Sequence, residues 1–130
     1  MASTPKRVLI VDSNIDKPWG LCADFRRYIE FDVEVRRAPE GDLPGDWTRY
    51  SHVVLSGSKT SCLEESDWVL KLIELVRKRA DLKHPLLGVC FGHQMLARAH
   101  GGLSVVRASQ TPEIGWTAIT QCNANPLFEG

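Results

Sequence analysis

Pro85-Leu86-Leu87-Gly88-Val89-Cys90-Phe91-Gly92-His93-Gln94-Met95-Leu96-Ala97 runs from a short apolar stretch through two glycines into a helix-forming stretch. Pro85 to Val89 reads as a buried strand, Gln94 to His100 as a helix, and Gly101-Gly102 as its stop. Between them, Gly88-Val89-Cys90-Phe91-Gly92 has the form G-x-C-x-G, the cysteine counterpart of the serine nucleophile elbow. A turn that sharp leaves no room for a Cβ at its flanks, so glycine stands on both sides and the central side chain is pushed out over the sheet edge. The first N–H groups of the following helix lack intrahelical partners, point toward the sulfur and could hold an oxyanion.

Working outward, Val8-Leu9-Ile10-Val11 and His52-Val53-Val54-Leu55 are further short apolar runs, each closed by turn-forming residues: Asp12-Ser13-Asn14 and Ser56-Gly57-Ser58. Phe31, Val33 and Val35 alternate with charged residues, as in a half-exposed strand near a sheet edge. Pro39 to Gly45 reads as a loop, and Leu103 to Arg107 and Trp116 to Thr120 as additional strands. A first helix is expected from Asp16 and Pro18 to about Glu30, burying Leu21, Cys22, Phe25, Tyr28 and Ile29. A second starts at a Ser61/Glu64 capping box, buries Trp68, Val69, Leu72, Ile73 and Val76, and ends in Arg77-Lys78-Arg79, which complement the helix dipole. Strands alternating with helices at this spacing imply a parallel sheet flanked by helices, a three-layer α/β/α fold of flavodoxin-like type, with its chemistry outside the carboxyl ends of the strands.

The chain has 130 residues, enough for one domain over residues 1–130 and too few for two. Sixteen Lys+Arg balance 16 Asp+Glu, and the four tryptophans form no stacking platform, so a nucleic-acid function is not expected. No stretch approaches the roughly 18 apolar residues of a membrane span. Cys22, Cys62, Cys90 and Cys122 form no C-x-x-C pair, which argues against zinc, disulfide and thioredoxin-type roles and for a reduced, cytoplasmic protein. Cys22, Cys62 and Cys122 are expected to be structural; only Cys90 stands in a chemical context.

The stretch Pro85 to Ala97 with Gly101-Gly102 resembles the nucleophile motif of the class I (triad) glutamine amidotransferases, and within them the free-standing, GMP-synthase-like branch. Val53-Val54-Leu55-Ser56-Gly57-Ser58 is similar to that family's strand and oxyanion turn, Glu113-Ile114-Gly115-Trp116 to its Glu-x-Gly-Trp segment, and Asn125-Pro126-Leu127-Phe128 to a phrase of the following loop. The resemblance implies that Cys90 attacks the side-chain amide of glutamine, giving a glutamyl thioester and ammonia. It makes Gly57, Ser58 and Phe91 the oxyanion hole and Gln94 a substrate-binding residue. It implies no metal or organic cofactor, and a synthase partner or domain that accepts the ammonia. Where the family has proline after its oxyanion-turn glycines, this chain has Ser58-Lys59.

The resemblance also implies a downstream His-x-Glu, carrying the general base and the carboxylate that orients it, and Gly130 comes before any such pair. The chain is therefore expected to be the amino-terminal portion of the domain, with little glutaminase activity, an open sheet edge and exposed apolar surface. His93 lies on the helix that an elbow points its nucleophile away from, and His52, His84 and His100 fall at element ends, so none is expected to replace that base. Asp12 reads as a turn former and Lys59 as a solvated loop residue. Two other functions fit the same residues: a glutamine-binding or regulatory module without turnover, and a hydrolase of γ-glutamyl amides.

Overall fold

In the computed structural model, which describes residues 6–16 and 22–129, the apolar runs form a four-stranded sheet. Its strands are β1 (Arg7–Asp12), β2 (Asp32–Arg37), β3 (His52–Leu55) and β4 (Leu86–Gly88), in the order β2-β1-β3-β4, with every neighbouring pair parallel. Three helices connect or follow them: α1 (Cys22–Arg26), α2 (Asp67–Asp81) and α3 (Phe91–Gly101). This is the flavodoxin-like α/β order expected from the sequence.

Successive side chains of a strand point to opposite faces. Leu9, Val11, Val53 and Leu55 therefore turn one way and join Val69, Leu72 and Val76 of α2 and Phe91 and Met95 of α3 in the larger core. Val8, Ile10 and Val54 turn the other way and meet Phe25, Ile29, Val33 and Val35. Each fully buried aliphatic or aromatic side chain contributes roughly 1.5–3 kcal/mol, so the α2/α3 face carries most of the hydrophobic stabilisation.

The first helix ends earlier than expected, at Arg26. After Arg26 the Tyr28 and Ile29 N–H groups bond three residues back, to Phe25 and Arg26, which tightens the turn and leaves Tyr28 81% exposed. Phe25 and Ile29 do pack on the sheet; Pro18, Leu21 and the side chain of Cys22 lie outside the described residues.

The Ser61/Glu64 pair does not cap α2, which begins at Asp67 after Ser66. Ser61 instead closes a local turn, its hydroxyl accepting from the Leu63 N–H at 3.2 Å and its carbonyl from the Glu64 N–H at 3.1 Å. The carbonyls of Cys62 and Glu64 are taken by the Arg98 guanidinium, at 2.9 and 2.6 Å, and a helix through these residues would need them for itself. Arg79 departs furthest from its expected place. Instead of sitting in solvent at the helix end it is 1% exposed, donating to the carbonyls of Trp47, Tyr50, Ser51 and Pro85. That burial pushes its pKa down from the usual arginine value, while four carbonyl acceptors compensate the charge.

β4 is a short edge strand with Leu87 exposed, as is Val89 just after it, and among the described residues no strand pairs with its far side. Neither Leu103–Arg107 nor Trp116–Thr120 is a strand. A 3₁₀ turn, Gly102–Ser104, leads into irregular backbone that ends in a second 3₁₀ turn at Pro126–Phe128. Ile114, Trp116 and Ile119 stand fully in solvent. β propensity favours a pleated, half-buried surface, and these residues have no neighbouring ladder to supply one.

Candidate active site

Parallel pairing fixes the level at which each strand ends. Val11 pairs with Leu55 and Leu55 with Gly88, so the turns after β1, β3 and β4 emerge side by side at one edge. The ladder closes there with Ser56 N–H donating to Val11 and Val89 N–H to Leu55, both at 3.0 Å.

Cys90 leaves this edge at φ 53°, ψ −114°, outside the left-handed helical well and costly for any residue with a Cβ. The Gly92 N–H bonds the Val89 carbonyl at 2.9 Å and the Gln94 N–H bonds the Cys90 carbonyl at 3.1 Å, so α3 begins immediately after the cysteine. A Cβ on Gly88 would lie 2.6 Å from the Gly92 backbone, and one on Gly92 would collide with the Leu55 carbonyl oxygen. Both elbow glycines are thus required by backbone packing. Cys90 is exposed, and among the described residues its thiol makes no hydrogen bond.

The turn after β3 faces the sulfur: a Cβ on Gly57 would stand 3.5 Å from Cys90 Cβ and 3.8 Å from Sγ. Neither the Gly57 nor the Ser58 N–H meets an acceptor among the described residues, and Phe91, as the first residue of α3, has no intrahelical acceptor for its own. Three unengaged N–H groups therefore lie in the two turns at this edge. Gln94 is exposed on the first turn of α3.

A polar network lies behind the β3 turn. Asp12 is buried, accepting from the Asn14 N–H at 2.9 Å and pairing with the Arg37 guanidinium at 2.9 Å. It is a turn former, as expected, and Arg37 also donates to the Asn14 carbonyl at 3.0 Å. The Ser56 hydroxyl accepts from the Ser13 N–H at 2.9 Å and donates to the Gly57 carbonyl at 3.0 Å. Ser58 Oγ accepts from the Thr60 N–H at 3.0 Å. Lys59 is exposed as expected, but it also pairs with Asp16 at 2.8 Å, and that hydrogen bond raises its ammonium pKa above the ordinary lysine value.

The structure separates the other sequence candidates from the thiol. His52 opens β3, about 13 Å of strand below the Gly57 turn, and His84 precedes β4 at the same lower edge. His100 is about 15 Å along α3 from Cys90, its Nδ1 donating to the Leu96 carbonyl at 2.8 Å. His93 is exposed, with no hydrogen bond to Cys90. Cys62 is partly buried against the core, whereas Cys122, expected to be structural, is exposed in the irregular segment. Among the described residues no group of three or more His, Cys, Asp or Glu could hold a metal, and no helix is long and apolar enough to cross a membrane.

The sequence reading missed Ser56, Arg37 and Arg98. For Arg98 the signal was present: it falls seven residues after Phe91 and three after Met95, on the buried stripe of α3.

Comparison with known proteins agrees with this arrangement. Residues 19–130 match the family described as "Glutamine amidotransferase class-I". The chain is 41% identical over 86 residues to "Gamma-glutamyl peptidase 4" of Arabidopsis thaliana, covering 65% of this chain and 34% of that protein. It is 34% identical over 106 residues to "GMP synthase [glutamine-hydrolyzing]" of Bacteroides fragilis, covering 81% of this chain and 20% of that protein. The crystal structure of a glutamine amidotransferase from Thermotoga maritima superposes with a TM-score of 0.64 at 26% identity, over 76% of this chain and 44% of that one. The chain thus spans about a third of the length of the curated peptidases it matches. With the elbow, the facing turn and the sheet order all in place, the chain belongs to the class I glutamine amidotransferase family.

Proposed function

We propose that this chain supplies the nucleophile and oxyanion site of an enzyme that cleaves the side-chain amide of glutamine. Cys90 Sγ adds to the amide carbonyl carbon, the π electrons move to oxygen, and the C–N bond then breaks to release ammonia as a glutamyl thioester forms. Water hydrolyses the thioester to glutamate. The N–H groups of Phe91 and of the Gly57-Ser58 turn hold the oxyanion, each worth about 2.7–4 kcal/mol by analogy with donors removed elsewhere. Gln94, on the first turn of α3, binds the substrate. The observation that carries the reading is the backbone of Cys90, whose strained φ 53°, ψ −114° is maintained between two glycines at the edge where three N–H groups are unengaged.

A departing amine must be protonated, and the four histidines stand away from the thiol or make no bond to it. Residues 1–130 are read as the amino-terminal portion of a single domain, and no histidine among them is assigned as the base. Glutamine with the 130-residue protein alone is expected to yield little ammonia. The ammonia released by the whole enzyme passes to a synthase partner or domain, in the cytoplasm.

The relatives named γ-glutamyl peptidases favour a second reading with the same nucleophile and a peptide amine as leaving group. Offering the whole enzyme glutamine and a γ-glutamyl dipeptide side by side, and measuring glutamate from each, separates the two.

The nucleophile itself is tested on this chain with a γ-glutamyl thiophenyl ester, whose thiolate leaves without protonation. Mass spectrometry is expected to find one glutamyl group on Cys90 and none on Cys122, which is also exposed. Equal labelling of both thiols would sink the assignment.

A further inference from the structure

The two hydrogen bonds of Ser56 fix the hydroxyl in one orientation: a lone pair receives the Ser13 N–H at 2.9 Å, and the single proton goes to the Gly57 carbonyl at 3.0 Å. Ser56 is buried, which shields the bond from Ser13 fully and the bond to the Gly57 carbonyl in part. The Gly57 carbonyl is thereby held toward the β1 side of the turn. In a trans peptide the carbonyl of one residue and the N–H of the next point in opposite directions. Because β3 lies between β1 and β4, the Ser58 N–H is left directed to the β4 side, where Cys90 stands. Without this bond the Gly57-Ser58 peptide would have little to fix it, since glycine offers no steric preference at that position.

We propose that Ser56 is a positioning residue, its hydroxyl locking the Gly57-Ser58 peptide with the Ser58 N–H turned toward the oxyanion formed at Cys90. The proposal rests on the reading of Cys90 as the nucleophile. The role is one of orientation: Ser56 touches neither substrate nor sulfur, and acts through the neighbouring peptide.

The test compares two reactions of the same thiol in the 130-residue protein. Transfer from the γ-glutamyl thiophenyl ester forms a Cys90 S–C bond as the thiophenolate C–S bond breaks, through a tetrahedral oxyanion. Alkylation by iodoacetamide forms an S–C bond as iodide leaves a saturated carbon, with no oxyanion. Ser56→Ala is expected to slow the transfer about tenfold or more, in line with the loss of an oriented oxyanion donor, and to leave alkylation of Cys90 unchanged. Ser13→Ala is the control, because the Ser13 hydroxyl is buried with no partner among the described residues while its N–H is retained; both rates should match the unaltered protein. If Ser56→Ala does not unfold cooperatively, Ser56→Cys carries the same expectation, filling the space with a weak hydrogen-bonding group.

Unchanged transfer in Ser56→Ala overturns the proposal and leaves Cys90 in place as nucleophile. A parallel fall in transfer and alkylation also overturns it, by showing that Ser56 merely holds the fold around the thiol. Failure of the unaltered protein to take the glutamyl group, with alkylation normal, removes the nucleophile reading itself and the Ser56 role with it.

Discussion

The turns after β3 and β4 face each other with room for one added carbon between Gly57 and Cys90, yet they hold their shapes by opposite means. The β4 elbow is held by exclusion: Gly88 and Gly92 approach backbone so closely that no other residue fits, and Cys90 is strained because its surroundings leave no alternative. The β3 turn is held by attraction, through Ser56, whose hydroxyl ties it to Ser13 in the β1 turn that the Asp12–Arg37 pair braces. At Gly57 a Cβ would meet only ordinary contacts. The proposed nucleophile is thus set in packed backbone, whereas the turn beside it is held by polar bonds that a single substitution can release. Arg98 joins the two, reaching from the helix that continues the elbow to the Cys62 and Glu64 carbonyls in the segment that continues the β3 turn.

The largest effect is expected from Gly92→Ala, where the added methyl meets the Leu55 carbonyl oxygen and Cβ, both fixed by the sheet. Urea unfolding should show a loss of about 3 kcal/mol. A midpoint equal to that of the unaltered protein would mean that the elbow is not held by exclusion. Arg98→Met should cost about 2 kcal/mol, because two carbonyls lose a charged donor while the side-chain volume is largely kept. It is also expected to slow glutamyl transfer, and a stability loss with unaltered transfer would uncouple the two turns. Cys90→Gly has the smallest effect and the opposite sign. Relief of about 1–3 kcal/mol of backbone strain outweighs the roughly 0.5–1 kcal/mol entropic cost of glycine, so stability should rise by about 1 kcal/mol as glutamyl transfer disappears. Destabilisation would show that Cys90 is relaxed in its conformation.

The elbow was legible because its requirements are local: an apolar run, glycine on both sides of a cysteine, and a helix to follow. The same holds for the runs at Val8 and Val53, where continuous apolarity reports burial on both faces of a parallel strand. Capping was not legible, since Ser61 and Glu64 satisfy the local pattern and fail only because Arg98, 34 positions further along the chain, claims the Glu64 carbonyl. The segments at Leu103 and Trp116 have strand composition, but pairing depends on a neighbour, and composition carries no information about one.

By itself the sequence determined the alternation of strands and helices as far as α3, the place of Cys90 and the resemblance that it carries, because each follows from side chains a few residues apart. Only the tertiary structure decided that Arg79 and Arg98 are buried and that the Ser56 hydroxyl bridges the Ser13 N–H and the Gly57 carbonyl. Those outcomes depend on hydrogen-bonding groups brought together from distant parts of the chain. A charged or polar side chain goes inside only where folding has gathered enough partners to replace water.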